Sequence, residues 1–176
     1  MKISMHTMAV DSFVDGLESL SKLLDKGAAF AKESGVDLIN ARLAPDMFTL
    51  AQQVQVVCFQ ATDGAARLAG REPGAIGRLG TTFEELKADI ADAIASVRAI
   101  PGGAFEGSED RDCSITPPNA GIVIKMDGLL FLRGWLLPHF YFHLVTAYDI
   151  MRHKGVTLGK PDFVSWIGPH VEPLKS

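Results

Sequence analysis

The stretch LLFLRGWLLPHFYFHLVTAYDIM, residues 129–151, governs how the whole chain is read. It is the most membrane-like run present, yet Arg133, Pro138, His139, His143 and Asp149 interrupt it. A single Arg at mid-bilayer costs roughly 2.5–3.5 kcal/mol on insertion scales, so the run reads as a buried helix and not as a membrane span. Asp127 is placed to cap its start, because a carboxylate there accepts an exposed backbone N–H. Gly155 can take the left-handed conformation that closes it near Lys154.

Three more helices precede it. From residue 8 to 30, Val10, Phe13, Leu17, Leu20 and Leu24 recur at alternating intervals of three and four, one stripe of a helix ending at Gly35. A second helix carries Met47, Leu50, Val54, Val57, Ala61 and Leu68 up to Gly70, with Asp46 as its expected cap. After a Gly/Pro-rich loop at 71–80, Thr82 stands three residues before Glu85, the capping-box spacing. The third helix follows, with Leu86, Ile90, Ile94 and Val97 on one face, and ends at Pro101. Between 104 and 125, two short β-branched runs, 113–116 and 122–124, flank a turn-rich segment and predict a small β-hairpin. The fold class expected is therefore all-α: a four-helix bundle with a small hairpin in the long connection between helices 3 and 4. Residues 1–165 form the bundle and 166–176 a C-terminal tail, and the closing stretch 156–176 is expected to run extended over the surface.

With 176 residues, 47% of them hydrophobic, the chain suits one domain that needs no staples. A net charge of −4 argues against a nucleic-acid or anionic-membrane surface. Cys58 and Cys113 fit no metal or redox spacing and read as reduced thiols of a cytoplasmic protein. The first residues lack the apolar core of a signal peptide, so export is not expected.

The chemistry is concentrated on the fourth helix. Leu132, Leu136, His139, His143, Thr146, Ile150 and His153 follow one another by four and three, which sets two imidazoles on one stripe. Four residues amount to about 400° of rotation and about 6 Å of rise, so the rings stack on one face and can share an ion. The plainer reading is a pair of core histidines satisfied by hydrogen bonds to neighbouring helices. A metal needs at least one more protein ligand, and the candidates are Gln53, then Gln52, and Asp46 at the entry of the second helix. Pro138 should bend the helix beside the pair and release the carbonyl of Gly134, either opening a cavity or wrapping the helix around the core. Trp135, Tyr141, Phe142 and Tyr148 read first as core. Arg42 suits a carboxylate, that of Asp46 or of a ligand.

The run 41–47 (ARLAPDM), the block 140–143 (FYFH) with Ala147, Tyr148, Arg152 and His153, and the closing Leu158, Gly159, Lys160, Asp162 and Phe163 resemble a bacterial family of domains of unknown function. That family is similar to the wider DinB/YfiT-like superfamily of four-helix bundles, whose better-known members are metalloenzymes, including thiol-dependent transferases, and often homodimers. The resemblance implies one divalent ion of the zinc or nickel class, held in those members by one histidine on the second helix and two spaced four apart on the fourth. His139 and His143 match the fourth-helix pair. The second-helix position falls at Gln52 or Gln53, which is not histidine.

Two functions are thus expected. One is a divalent-metal-dependent hydrolase or thiol-dependent transferase with a degenerate site on His139, His143, Gln53 and Asp46. The other is a non-enzymatic module on the same fold that binds an unidentified small molecule or pairs as a homodimer.

Overall fold

The computed structural model describes residues 3–72, 74–117 and 121–172. Helix α1, Ser12–Ser34, is entered through a π-helical turn, Thr7–Asp11, and closes on Gly35 at φ +73°. Its core face is the predicted one, with Phe13, Leu17, Leu20 and Leu24 fully buried.

Helix α2, Leu50–Leu68, does not start from Asp46. Thr49 is its cap: the Thr49 hydroxyl accepts from the Gln52 N–H (3.3 Å) while the Gln52 side chain accepts from the Thr49 N–H (2.9 Å). This reciprocal pair satisfies two donors at once, which Asp46, with Thr49 three residues on, cannot do. Asp46 is instead exposed in the preceding turn, and Arg42 donates to the Pro45 carbonyl (3.2 Å) without pairing with Asp46.

Helix α3, Phe83–Arg98, is capped by Thr82 as expected. Glu85 turns away from the Thr82 N–H to take the N–H and hydroxyl of Thr81 and the Arg78 guanidinium, and these donors hold its carboxyl down at about 2.

The long connection corrects another expectation. It carries the 3-10 turns Gly102–Phe105 and Ser108–Asp110, and then only isolated antiparallel bridges, Asp112 to Asp127 and Ile115 to Ile124. No β-strand forms among the described residues, and the predicted turn lies partly outside them, at 118–120. Ile124 packs partly buried against the core, but Ile122 and Val123 are more than half exposed, so only one residue of the second run has apolar cover.

The fourth long helix is built in three pieces: α4, Gly128–Leu130, a π-helical turn, Phe131–Leu136, and α5, Leu137–His153. The Asp127 carboxylate accepts from the Leu130 N–H (2.7 Å), as predicted. The disturbance expected at Pro138 is taken up one turn earlier, where Leu137 N–H reaches the Leu132 carbonyl, five residues back. The proline thus opens α5 at the point where the bonding register changes.

Among its described residues, 156–172, the closing stretch carries short helices and is not extended throughout. The Asp162 carboxylate accepts from the Gly159 N–H (2.8 Å) and starts α6, Lys160–Phe163, followed by the 3-10 turn Ser165–His170. The Ser19 hydroxyl, fully buried on α1, donates to the Phe163 carbonyl (2.5 Å), and Lys26 pairs with Asp162 (2.6 Å).

Around the bundle, α3 packs on α1 and α2, and α5 packs on the same two from the other side. Consecutive α1 and α2 therefore stand across the core, and α2 faces α5. Two glycines permit the close approach: a Cβ on Gly64 would meet Leu136 Cδ2 at 2.3 Å, and one on Gly16 the Phe140 ring at 2.6 Å. No helix among the described residues is long and apolar enough to cross a membrane.

Candidate functional site

The seam between α2 and α5 brings Gln53 to His143. The centre of the buried face of the fourth long helix is Leu136, Phe140, Leu144, Ala147 and Met151, and His139 and His143 lie half-buried on its flank. This shifts the predicted stripe sideways, because the large Phe140 ring takes the core position. His153 is exposed, and the buried Thr146 hydroxyl donates to the Phe142 carbonyl (2.7 Å).

Gln53 is 1% exposed and has two partners. Its Nε2 donates to the Phe48 carbonyl (3.4 Å), and its Oε1 lies 2.7 Å from His143 Nδ1. With the amide anchored that way round, Oε1 is an acceptor, so His143 Nδ1 carries the proton. Nε2 of His143 is left with its lone pair bare. Burial pushes the His143 imidazolium pKa below its ordinary value, and the neighbouring His139 adds to this; burial alone lowers that of His139. Both rings are therefore neutral at pH 7.

Aromatic side chains frame the pair. Phe48 stacks on His143 at 6.2 Å, Phe142 meets it edge-on at 5.2 Å, and Trp135 packs on His139 at 4.1 Å. Phe48 and Phe142 remain 47% and 58% exposed, so the half-buried imidazoles are framed by apolar rings at the surface. Phe48 precedes the first turn of α2 and takes part in no periodic pattern, which is why periodicity does not single it out. Trp135, read from sequence as core, packs partly buried against it, whereas Phe142, read likewise, is exposed beside the site.

The predicted ligand set is only partly assembled. His139, His143 and Gln53 come together, whereas Asp46 does not join them: no group of three His, Cys, Asp or Glu side chains suited to a metal exists among the described residues. Gln53 Oε1 is occupied by the His143 ring. Two imidazoles and an engaged amide do not fit a divalent centre that needs three protein ligands.

A family model described as a domain of unknown function, DUF1993, matches residues 5–164. Among solved structures, the crystal structure of a DinB family member protein from Shewanella denitrificans is 33% identical to this chain, with a TM-score of 0.81, over 98% of this chain and 95% of that one. No curated protein matches.

Proposed function

As the chain belongs to the DinB-like family of domains of unknown function DUF1993, we propose that it is a small-molecule-binding module in which a hydrogen-bonding His–Gln pair stands where a metal centre would otherwise be built. The observation that supports this most is the 2.7 Å contact between His143 Nδ1 and Gln53 Oε1. It commits Gln53 to orienting the ring and leaves His143 Nε2 as a neutral acceptor aimed at a ligand proton. The apolar frame of Phe48, Phe142 and Trp135 suits a ligand with a flat or aliphatic body and one hydroxyl or weakly acidic donor, such as a phenol. A base of this kind can also take a proton from a bound hydroxyl.

Calorimetric titration tests the proposal. The wild type should bind a phenol saturably and lose that binding in His143→Ala, while zinc, nickel and manganese bind without dependence on His139 or His143. Gln53→His supplies a third imidazole and should gain a histidine-dependent divalent site. Wild-type zinc or nickel uptake abolished by His139→Ala would instead support the metal-dependent hydrolase or transferase reading.

The proposal extends to a homodimer. It is supported by the exposed apolar side chains Met8, Leu129 and Leu130. Met8 and Leu129 line, with Leu132 and Leu137, a cleft of about 980 Å³ at one end of the bundle. Covering such a surface is the ordinary reason for a two-fold contact. Light scattering at micromolar concentration should give twice the 19.0 kDa chain mass, and a particle of 19.0 kDa throughout would contradict it.

A further inference from the structure

The cleft at the end of the bundle is walled by irregular helical turns. Both π-helical turns among the described residues border it: Thr7–Asp11 contributes Met8, and Phe131–Leu136 contributes Leu132 and Arg133. The two 3-10 turns border it as well, with Glu106 closing the first and Glu109 inside the second. Turns of the π kind are rare and recur where a surface is put to use. Leu132 is buried, whereas Ile3, Met8 and Leu129, which also line the cleft, are 85%, 41% and 48% exposed.

The charges of this cleft are uncommitted. Arg133, Glu106 and Glu109 are all exposed, and none of them enters an ion pair among the described residues. Both signs therefore border one apolar cleft without meeting each other. A small anion seated there would face two carboxylates, and a small cation would face a guanidinium. A second copy of the chain, turned about a two-fold axis, answers both, because an isologous contact sets residue i against j and j against i.

Resting on the homodimer reading above, we propose that the two-fold contact is made through this cleft, with Arg133 of each copy pairing with Glu106 and Glu109 of the partner subunit. The apolar side chains Ile3, Met8 and Leu129 are covered in the same contact. They supply the attraction, and the charges fix the register, since ion pairs at a wet rim add little while like charges set face to face cost a great deal.

Charge reversal tests this, read by light scattering at micromolar concentration and low ionic strength. The wild type should give twice the 19.0 kDa chain mass. Arg133→Glu sets like charges against each other at two symmetric places and should weaken association about a hundredfold, about tenfold at each place. Glu106→Arg/Glu109→Arg should do the same, and each variant alone should run at 19.0 kDa. Mixed in equal amounts, the two variants restore attraction at both places and should pair again at twice the chain mass. Far-ultraviolet circular dichroism confirms that each variant is folded. A wild-type dimer that neither variant weakens, or a mixture of folded variants that stays monomeric, would overturn the cleft contact and leave the homodimer reading standing. A wild type of 19.0 kDa throughout would overturn both.

Discussion

At His143 a single hydrogen bond decides which chemistry is open. Had the second-helix partner been a histidine, its ring nitrogen would compete for a metal; the amide of Gln53 instead accepts the Nδ1 proton and fixes the tautomer. This arrangement has a pH signature. Burial holds the imidazolium of His139 and of His143 below the ordinary value of 6.5, so below that pH the unfolded chain binds protons that the folded chain refuses. Stability is then full above about pH 6.5 and declines as pH falls toward the lower folded values, before ordinary carboxylates titrate. Thermal denaturation between pH 8 and 5 should show the decline, and His139→Gln/His143→Gln should flatten it. A wild-type profile that stays level, or rises toward pH 5, would contradict the neutral pair.

At the level of single elements, glycines set how near the fourth helix comes to its neighbours. A Cβ at Gly128 would fall 1.8 Å from the Ser108 carbonyl oxygen, whereas at Gly64 it would meet the side chain of Leu136 at 2.3 Å. Backbone cannot rotate aside as a side chain can. Gly128→Ala should therefore cost about 3 kcal/mol and Gly64→Ala about 1–2 kcal/mol, measured by urea denaturation; the reverse order would contradict this packing. The long elements were legible in the chain because burial on one face writes a three–four rhythm, and the left-handed closures at Gly35 and Gly155 follow from glycine alone. What sequence missed lies where two local signals compete. Thr49 with Gln52 outdoes Asp46 as a cap, since it satisfies two donors. The β-branched runs at 113–116 and 122–124 suggest a hairpin, but only isolated bridges form among the described residues, because in the latter run only Ile124 packs against the core while Ile122 and Val123 stay exposed. The tail folds into short helices because Asp162 caps Gly159, a signal overshadowed by the surrounding glycines and prolines.

For the molecule as a whole, the order in which helices neighbour one another is what makes the site. Because α1 and α2 stand across the core from each other, α2 is free to face α5, and Gln53 meets a residue 90 positions away in the chain. The imidazole pair was visible in the sequence as an i, i+4 spacing, and Gln53 as the second-helix candidate. Its role as an orienting partner was not, since the direction of an amide depends on the Phe48 carbonyl that anchors it. The most direct measurement is a long-range proton–nitrogen correlation spectrum of the histidine rings at pH 7.5, assigned with His143→Gln. The account predicts that His143 is neutral with the proton on Nδ1 and a bare Nε2, and that adding zinc leaves its nitrogen shifts in place. A protonated Nε2, or a zinc-induced shift of Nε2 saturating at one equivalent, would contradict it.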